Sequence, residues 1–257
     1  MTPLDAAILG IVEGIAEFLP ISSTGHLVLA STLLGIANSD FTKSFEIVIQ
    51  LGAILAVIVL YFRSFFDIEL LKRIVVAFIP TGIIGLALYK VVKTYLLGNQ
   101  AIVLWSLALG GIALIAFEYW YREAPKATEN VRAISYRQAV LIGLFQSLAI
   151  IPGVSRSAAS IVGGLLVGIK RATIVEFSFL LAVPTMVAAT GLDLVKNASL
   201  FSSGANVLSL VIGFVISFVV ALISIKWLLG FVRSHSFISF GIYRIVVAVL
   251  FFLIIAR

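Results

Sequence analysis

Two carboxylates lie four residues apart inside an apolar stretch near the start of the chain. They are Glu13 and Glu17, in the segment LGIVEGIAEFLPISSTGHLVL. Three hydroxyl side chains and a histidine follow at once: Ser22, Ser23, Thr24 and His26. A charged side chain at the centre of a membrane-embedded helix costs at least ~2.5 kcal/mol, so charges in such a segment indicate a function.

A second apolar stretch is interrupted by a similar polar cluster, in the segment IIPGVSRSAASIVGG. This cluster contains Gly153, Ser155, Arg156 and Ser157. A guanidinium group binds two phosphate oxygens at once through its planar fork, and a hydroxyl beside a Glu or a His can be activated as a nucleophile. Acids, hydroxyls, a histidine and an arginine at membrane depth therefore indicate phosphate chemistry on a lipid-borne substrate.

The acidic pair predicts a cofactor. Glu13 and Glu17 are one helical turn apart and share a face of the helix. Two close carboxylates in a medium of low dielectric constant resist being ionised together, so either one is protonated or a cation lies between them. A hard divalent ion, Mg²⁺ or Ca²⁺, that stays partly hydrated and shares phosphate oxygens of the substrate would satisfy both.

The composition predicts a polytopic membrane protein with one integrated domain. Of the 257 residues 61% are hydrophobic and only 12% are charged, whereas a soluble domain has about 25% charged residues. Cysteine is absent, which excludes disulfides and thiolate ligands. The net charge is +6, but no basic run is interleaved with aromatic residues, so we expect membrane lipid and no nucleic acid as a partner.

Six segments are long and apolar enough to cross a bilayer, which needs roughly 20 residues. They are residues 45–62, 74–92, 100–120, 174–192, 205–229 and 237–256. Two further regions consist of short apolar halves around a polar break: residues 4–19 with 27–37, and 138–151 with 157–169. Non-helical backbone at membrane depth must be buried in protein or line a cavity. We therefore expect an all-α protein with six transmembrane helices and two re-entrant helix hairpins.

The two halves of the chain resemble each other at an offset of about 130 residues. Glu13 corresponds to Gln146, and Glu46 near the start of one span corresponds to Glu176 near the start of another. Each half, approximately 1–125 and 135–257, contains one hairpin and three spans. Because each half has an odd number of spans, the second half is inverted in the membrane relative to the first. Inverted repeats place their binding sites near the midplane of the membrane.

The basic residues predict the orientation, since Lys and Arg accumulate on the cytoplasmic side. Loops on one side carry ten of them, at 63–73, 122–137, 170–171 and 233, and the other side carries four, at 43, 93, 196 and 257. The first hairpin then enters from outside and the second from the cytoplasm, so that their tips can meet within the bilayer.

The chain also resembles a known family. The segments EGIAEFLPISSTGH and PGVSRSAAS are similar to two motifs of the undecaprenyl-diphosphate phosphatases of the bacitracin-resistance (BacA) type. Further similarity covers FEIVIQLGAILAV, YRQA, EFSFLLAVP and the FGIYR segment at 240–244. The resemblance implies removal of the terminal phosphate of a C55-isoprenyl diphosphate in the bacterial cytoplasmic membrane. It also implies recycling of the lipid carrier for cell-wall synthesis, bacitracin resistance and a cavity that opens outward.

Carried over by the motifs, the resemblance assigns roles to five residues: Glu13 and Glu17 as the acidic pair, Ser23 as the nucleophile, His26 as the motif histidine and Arg156 as the phosphate-binding residue. In the expected mechanism Glu17 or His26 takes the proton of Ser23, with attack by His26 or by water directly as alternatives. The chain departs from the family pattern at Ala158 and Ser160, where Gly and Thr are usual.

Other residues are expected in supporting roles. The expected substrate-binding residues are Ser22, Thr24, Gly153, Ser155, Ser157 and Arg244, and secondary candidates are Glu46, Gln50, Gln146 and Glu176. The pairs Gly10-x3-Gly14 and Gly164-x3-Gly168 favour close packing within the fold, although a homodimer is also open. A flippase or transporter of an anionic isoprenoid lipid is the alternative function, because inverted repeats with broken helices are typical of transporters.

Overall fold

The computed structural model describes residues 1–36, 39–96, 99–196 and 207–255. The described residues form ten α-helices: α1 (Pro3–Ala16), α2 (Ser23–Leu33), α3 (Asp40–Leu60), α4 (Ile68–Val91), α5 (Gln100–Trp120), α6 (Tyr136–Gln146), α7 (Arg156–Leu166), α8 (Arg171–Lys196), α9 (Val207–Phe231) and α10 (Ile238–Ile255). A short 3₁₀ turn, Ser147–Ile150, extends α6. The predicted positions 37, 205–206 and 256 lie outside the described residues.

Membrane-spanning helices account for most of the chain. Helices long and apolar enough to cross a bilayer cover Phe41–Leu60, Ile68–Val91, Gln100–Trp120, Arg171–Gly191 and Val207–Phe231, and the apolar part of α10 covers Ile238–Ile254. At 1.5 Å per residue α10 is still about 27 Å long, close to the ~30 Å thickness of the hydrocarbon layer. The prediction of an all-α polytopic membrane protein is confirmed.

Both interrupted segments form helix–break–helix units. Helix α1 packs against α2, and α6 packs against α7. Helix α2 begins at Ser23, within the hydroxyl cluster that precedes the apolar residues 27–37. The side chain of Ser22 caps this helix by accepting the backbone N–H of Gly25, which lets the polar residues 23–26 form its first turn.

Helices of each half pack against helices of the other half. Helix α1 packs on α9 and α6 on α4, while α3 packs on α9 and α8 on α4. Further contacts pair α5 with α10 and α3 with α8. Each hairpin thus packs on a span of the other half, as the predicted inverted repeat requires. The repeat boundaries at about 125 and 135 stay a prediction.

Small residues allow the hairpins to approach the spans closely. A Cβ atom on Gly10 would lie 2.7 Å from the carbonyl oxygen of Gly213, and one on Gly14 would lie 2.7 Å from that of Ser217. Gly143 of α6 is blocked in the same way by the backbone of Ala77 on α4. The first glycine pair therefore packs within the fold. Gly168, by contrast, has a positive φ of 83° after the end of α7.

The guanidinium group of Arg244 holds both hairpin breaks against α5. Arg244 lies on α10 and is only 1% exposed. Its donors reach five backbone carbonyl oxygens at 2.9–3.3 Å, those of Pro20, Ser106, Leu107, Gly153 and Val154. Pro20 belongs to the first break and Gly153 and Val154 to the second. The donors of Arg244 are thus committed to the backbone, which corrects the expected substrate-binding role to a positioning role.

We expect Arg244→Met to destabilise the protein strongly, because the carbonyls of Pro20, Gly153 and Val154 in the two breaks lose the donor that Arg244 supplies. At about 1–3 kcal/mol for each unsatisfied buried group, partial relaxation still predicts a loss of at least ~3 kcal/mol in the free energy of unfolding. The measurement is unfolding by SDS in mixed micelles. Arg233→Met, at an exposed position, is the matched control and should change stability by less than ~0.5 kcal/mol. Equal losses in the two variants would contradict the assignment.

Candidate active site

The tips of the two hairpins touch each other. The hydroxyl of Ser157, on the second hairpin, donates to the carbonyl oxygen of Leu19 on the first at 2.8 Å. Arg156 Nη2 donates to Glu17 Oε1 across the same junction at 2.9 Å. Charged groups from both halves of the chain are therefore joined in one buried site.

Glu17 lies at the centre of this site. Its Oε1 accepts from Arg156, and its Oε2 accepts the hydroxyl of Ser23 at 2.5 Å. All three are largely enclosed, with side-chain exposures of 4% for Glu17 and 10% for Arg156 and a residue exposure of 7% for Ser23. A carboxylate that holds the proton of a serine hydroxyl in this way can remove it when the oxygen attacks an electrophile.

Arg156 is fixed by further contacts. Its Nη1 donates to the carbonyl oxygen of Ser178 on α8 at 2.9 Å, and its guanidinium carbon lies 5.8 Å from the centre of the Phe18 ring. Ser160 shares a hydroxyl–hydroxyl hydrogen bond of 2.7 Å with Ser178, so the residue that departs from the family pattern supports the arginine. Among the described residues, Arg156 Nε has no hydrogen-bond partner.

Ser23 and Arg156 each follow a serine with unusual backbone geometry. Ser22 has φ 74° and Ser155 has φ 82°, a region that costs non-glycine residues roughly 1–3 kcal/mol. Each serine caps the helix behind it, since Ser22 Oγ accepts from Gly25 N and Ser155 Oγ accepts from Ala158 N. Ser23 and Arg156 therefore stand at the first positions of α2 and α7, where free N–H groups and the helix dipole favour an anion.

A cavity of about 170 Å³ lies between the breaks. The predicted site residues that line it are Glu17, Ser22, Ser23, Thr24, Gln146, Gly153, Ser155 and Arg156. Six residues that are not among the predicted site residues also line it: Thr81, Ala149, Ile150, Pro152, Thr185 and Met186. The other candidates, Glu13, His26, Glu46, Gln50, Ser157, Glu176 and Arg244, lie outside this lining.

His26 contacts the backbone and Tyr243. Its Nδ1 lies 2.8 Å from the carbonyl oxygen of Ser22, which can only accept, so Nδ1 carries a hydrogen. Its Nε2 lies 3.0 Å from the hydroxyl of Tyr243, whose ring is parallel to the imidazole at 5.5 Å. His26 therefore steadies the unusual backbone of Ser22, while Glu17 is the residue that binds the Ser23 hydroxyl.

Glu13 is the residue best suited to hold a cation with Glu17. It is fully buried, and within the described chain neither of its carboxylate oxygens has a hydrogen-bond partner. No group of three or more His, Cys, Asp or Glu side chains gathers among the described residues. Two carboxylates completed by water and substrate phosphates are nevertheless a common arrangement for Mg²⁺. The residues fit a divalent cation, which stays a prediction.

Some of the missed residues have a signal in the sequence. Thr81 and Thr185 each follow a proline inside an apolar helix, as Pro80-Thr81 and Pro184-Thr185. Tyr243 and Ser178 lie within the similar segments FGIYR and EFSFLLAVP, but their contacts depend on packing between distant helices.

Substitutions at Ser155 should separate backbone strain from capping. Ser155→Gly removes the cap but adopts a positive φ freely, whereas Ser155→Ala removes the cap and keeps the strain. We expect Ala to lower the free energy of unfolding by about 1–2 kcal/mol more than Gly does, measured by SDS unfolding in mixed micelles. If Ala were tolerated as well as Gly, the strained cap would be wrong.

Comparison with known proteins identifies the family of this chain. A family model described as bacitracin resistance protein BacA matches residues 6–250. The chain is 54% identical over 253 residues to the undecaprenyl-diphosphatase of Sulfurihydrogenibium sp. (strain YO3AOP1), covering 98% of this chain and 99% of that protein. It is 55% identical over 253 residues to the undecaprenyl-diphosphatase of Aquifex aeolicus (strain VF5), with 98% of each covered. The chain therefore belongs to the bacitracin resistance protein BacA family.

Proposed function

We propose that this protein is an integral membrane phosphatase that converts undecaprenyl diphosphate into undecaprenyl phosphate and inorganic phosphate. The relatives named undecaprenyl-diphosphatase match over nearly their whole lengths. The observation that carries the proposal is the hydrogen bond from Ser23 to Glu17, with Arg156 on the other oxygen of the same carboxylate. An activated hydroxyl beside a guanidinium group suits attack on a phosphate ester or anhydride.

In the proposed reaction the diphosphate enters the cavity between the hairpin tips. Arg156 and the N-terminal N–H groups of α2 and α7 bind its oxygens. Glu17 takes the proton of Ser23 while Ser23 Oγ bonds to the terminal phosphorus, and the bridging oxygen leaves with undecaprenyl phosphate. Water then releases inorganic phosphate from Ser23. Catalysis in this scheme comes mainly from alignment and charge stabilisation.

The geometry favours Ser23 over the two alternative nucleophiles. His26 uses both ring nitrogens for Ser22 and Tyr243 and does not line the cavity. Direct attack by water would leave the short contact between Ser23 and Glu17 without a role. The same contact favours a phosphatase over the alternative flippase, because a carrier needs an anion site but no activated hydroxyl.

A divalent cation, Mg²⁺ or Ca²⁺, belongs to the proposal. Glu13 and Glu17 would hold it, and when bound it would neutralise charge on the diphosphate. Glu13 contributes two oxygens that have no hydrogen-bond partner in the described part of the chain, so a cation would relieve an otherwise costly buried carboxylate.

The proposed location is the bacterial cytoplasmic membrane, with the cavity open to the outer side. The excess of Lys and Arg in one set of loops supports this orientation. In that position the enzyme would return the lipid carrier to cell-wall synthesis and confer bacitracin resistance. A homodimer stays a prediction.

The proposal predicts severe loss of activity on removal of either central side chain. Phosphate release from undecaprenyl diphosphate by the purified protein in detergent should fall at least ~100-fold in Ser23→Ala and in Arg156→Ala, as for loss of a group that stabilises the transition state. Ser224→Ala is the matched control, because the Ser224 hydroxyl donates to the carbonyl of Val220 within its own helix. It should retain near-normal activity. Near-normal turnover in Arg156→Ala would contradict the site.

Trapping of the covalent intermediate tests the nucleophile separately. Rapid acid quench with substrate carrying ³²P in the terminal phosphate should place the label on Ser23. Label on His26, or on no residue during rapid turnover, would rule out serine attack while leaving the phosphatase function intact.

The cation makes a separate prediction. A chelator should abolish phosphate release, and added Mg²⁺ or Ca²⁺ should restore it. In Glu13→Gln the metal concentration for half-maximal activity should rise about 10–100-fold, because the variant loses a charged ligand. Glu129→Gln, which removes the partner of Lys170 on the surface, should leave that concentration unchanged. Full activity in the chelator would exclude the cation.

A further inference from the structure

A second polar group lies in the cavity besides the reacting residues. It consists of Thr81 on α4, Gln146 at the end of α6 and Thr185 on α8, and all three line the same cavity as Ser23 and Arg156. We call it the Thr–Gln–Thr cluster. Gln146 Nε2 donates to the hydroxyl oxygens of both threonines at 3.1 Å. None of these three residues has a role in the proposed attack of Ser23 on phosphorus.

The hydrogen bonds of the cluster have only one consistent direction. The hydroxyl of Thr81 donates to the carbonyl oxygen of Gly143 at 2.9 Å, and that of Thr185 donates to the carbonyl oxygen of Leu181 at 2.8 Å. A hydroxyl has one hydrogen, so both threonines can only accept from Gln146. The amide nitrogen must therefore face the threonines, which fixes Gln146 Oε1 as the remaining acceptor.

This remaining oxygen lacks a donor. Gln146 is 1% exposed, and its Oε1 has no hydrogen-bond partner among the described residues. A buried acceptor without a partner costs about 1–3 kcal/mol, so a donor is expected to occupy the site. Ionised phosphate oxygens are themselves acceptors, and they cannot supply the missing hydrogen. A water molecule can.

The position that matches Gln146 in the first half of the chain is also a buried acceptor, but a charged one. Glu13 corresponds to Gln146, and its buried carboxylate oxygens also have no hydrogen-bond partner among the residues that the structure describes. A carboxylate suits a cation, whereas a neutral amide holds water without repelling the anionic substrate. The first half of the chain thus offers Glu13 as an acceptor for a cation, and the second half offers Gln146 as an acceptor for water.

We propose that the Thr–Gln–Thr cluster positions the water molecule that hydrolyses the phosphoryl group, with Gln146 Oε1 accepting one of its hydrogens. This inference rests on the proposed function. The water oxygen forms a bond to phosphorus as the bond between phosphorus and Ser23 Oγ breaks. Both water hydrogens leave with the released phosphate as H₂PO₄⁻, while Glu17 returns to Ser23 Oγ the proton that it took in the first step and is again a carboxylate. Gln146 acts through the water and is a positioning residue.

The test uses Gln146→Met, which keeps the length of the side chain and removes its hydrogen bonds. Its matched control is Gln100→Met, where the amide donates to Thr32 outside the cavity. Three quantities are measured on undecaprenyl diphosphate in detergent: kcat, KM, and the ratio of methyl phosphate to inorganic phosphate formed in added methanol. Methanol competes with water for the phosphoryl group, so the ratio reports how well water is positioned.

We expect kcat of Gln146→Met to fall about 10–100-fold, the usual effect of misplacing a reactant, with little change in KM. The ratio of methyl phosphate to inorganic phosphate should rise several-fold, and Gln100→Met should match the wild type in all three quantities. Thr185→Val, which frees the amide to rotate, should change kcat and the ratio in the same direction by less. Thr185→Val also serves as the test variant if Gln146→Met does not fold and therefore does not elute as a single species in size-exclusion chromatography.

Several results would overturn the inference. An unchanged kcat, a rise in KM alone, or a fall in kcat with an unchanged product ratio would each assign Gln146 a structural or substrate-binding role. These outcomes require an active wild-type protein and therefore leave the phosphatase function standing. A wild type that releases no phosphate would overturn both.

Discussion

The ion pair between Glu17 and Arg156 is the interaction on which the rest of the site depends. Either charge alone would be costly at membrane depth, and breaking a buried pair costs about 3–5 kcal/mol. Each residue therefore requires the other, although they come from opposite halves of the chain and meet at 2.9 Å. Because Glu17 also accepts the hydroxyl of Ser23, the carboxylate that joins the hairpins is the one that would activate the proposed nucleophile.

Irregular backbone in the membrane imposes a second constraint, since each free carbonyl and N–H group needs a partner. Arg244 donates hydrogen bonds to backbone carbonyls of both breaks. The hydroxyls of Ser22 and Ser155 cap the helices that follow the breaks. Among the described residues, the buried carboxylate oxygens of Glu13 and the amide oxygen of Gln146 have no hydrogen-bond partner. These are the acceptors at which a cation and a water are proposed.

The sequence predicted the fold class, the hairpins and the meeting of their tips, because charge and proline in apolar segments are strong local signals. It placed Ser23 near Glu17 and Arg156 for the same reason. It did not predict that Arg244 binds backbone carbonyls, since a buried arginine suggests an anionic partner from sequence alone. The contacts of Thr81 and Thr185 with Gln146 join three separate helices, and no local pattern specifies which faces of packed helices meet.

A double-mutant cycle tests the central claim that Glu17 and Arg156 join the two halves. The free energy of SDS-induced unfolding is measured for the wild type, Glu17→Gln, Arg156→Gln and the double variant. Direct contact predicts that the double variant loses at least ~1 kcal/mol less than the sum of the single losses. Losses that add to within ~0.3 kcal/mol would show that the two side chains do not interact, and the shared site would have to be abandoned.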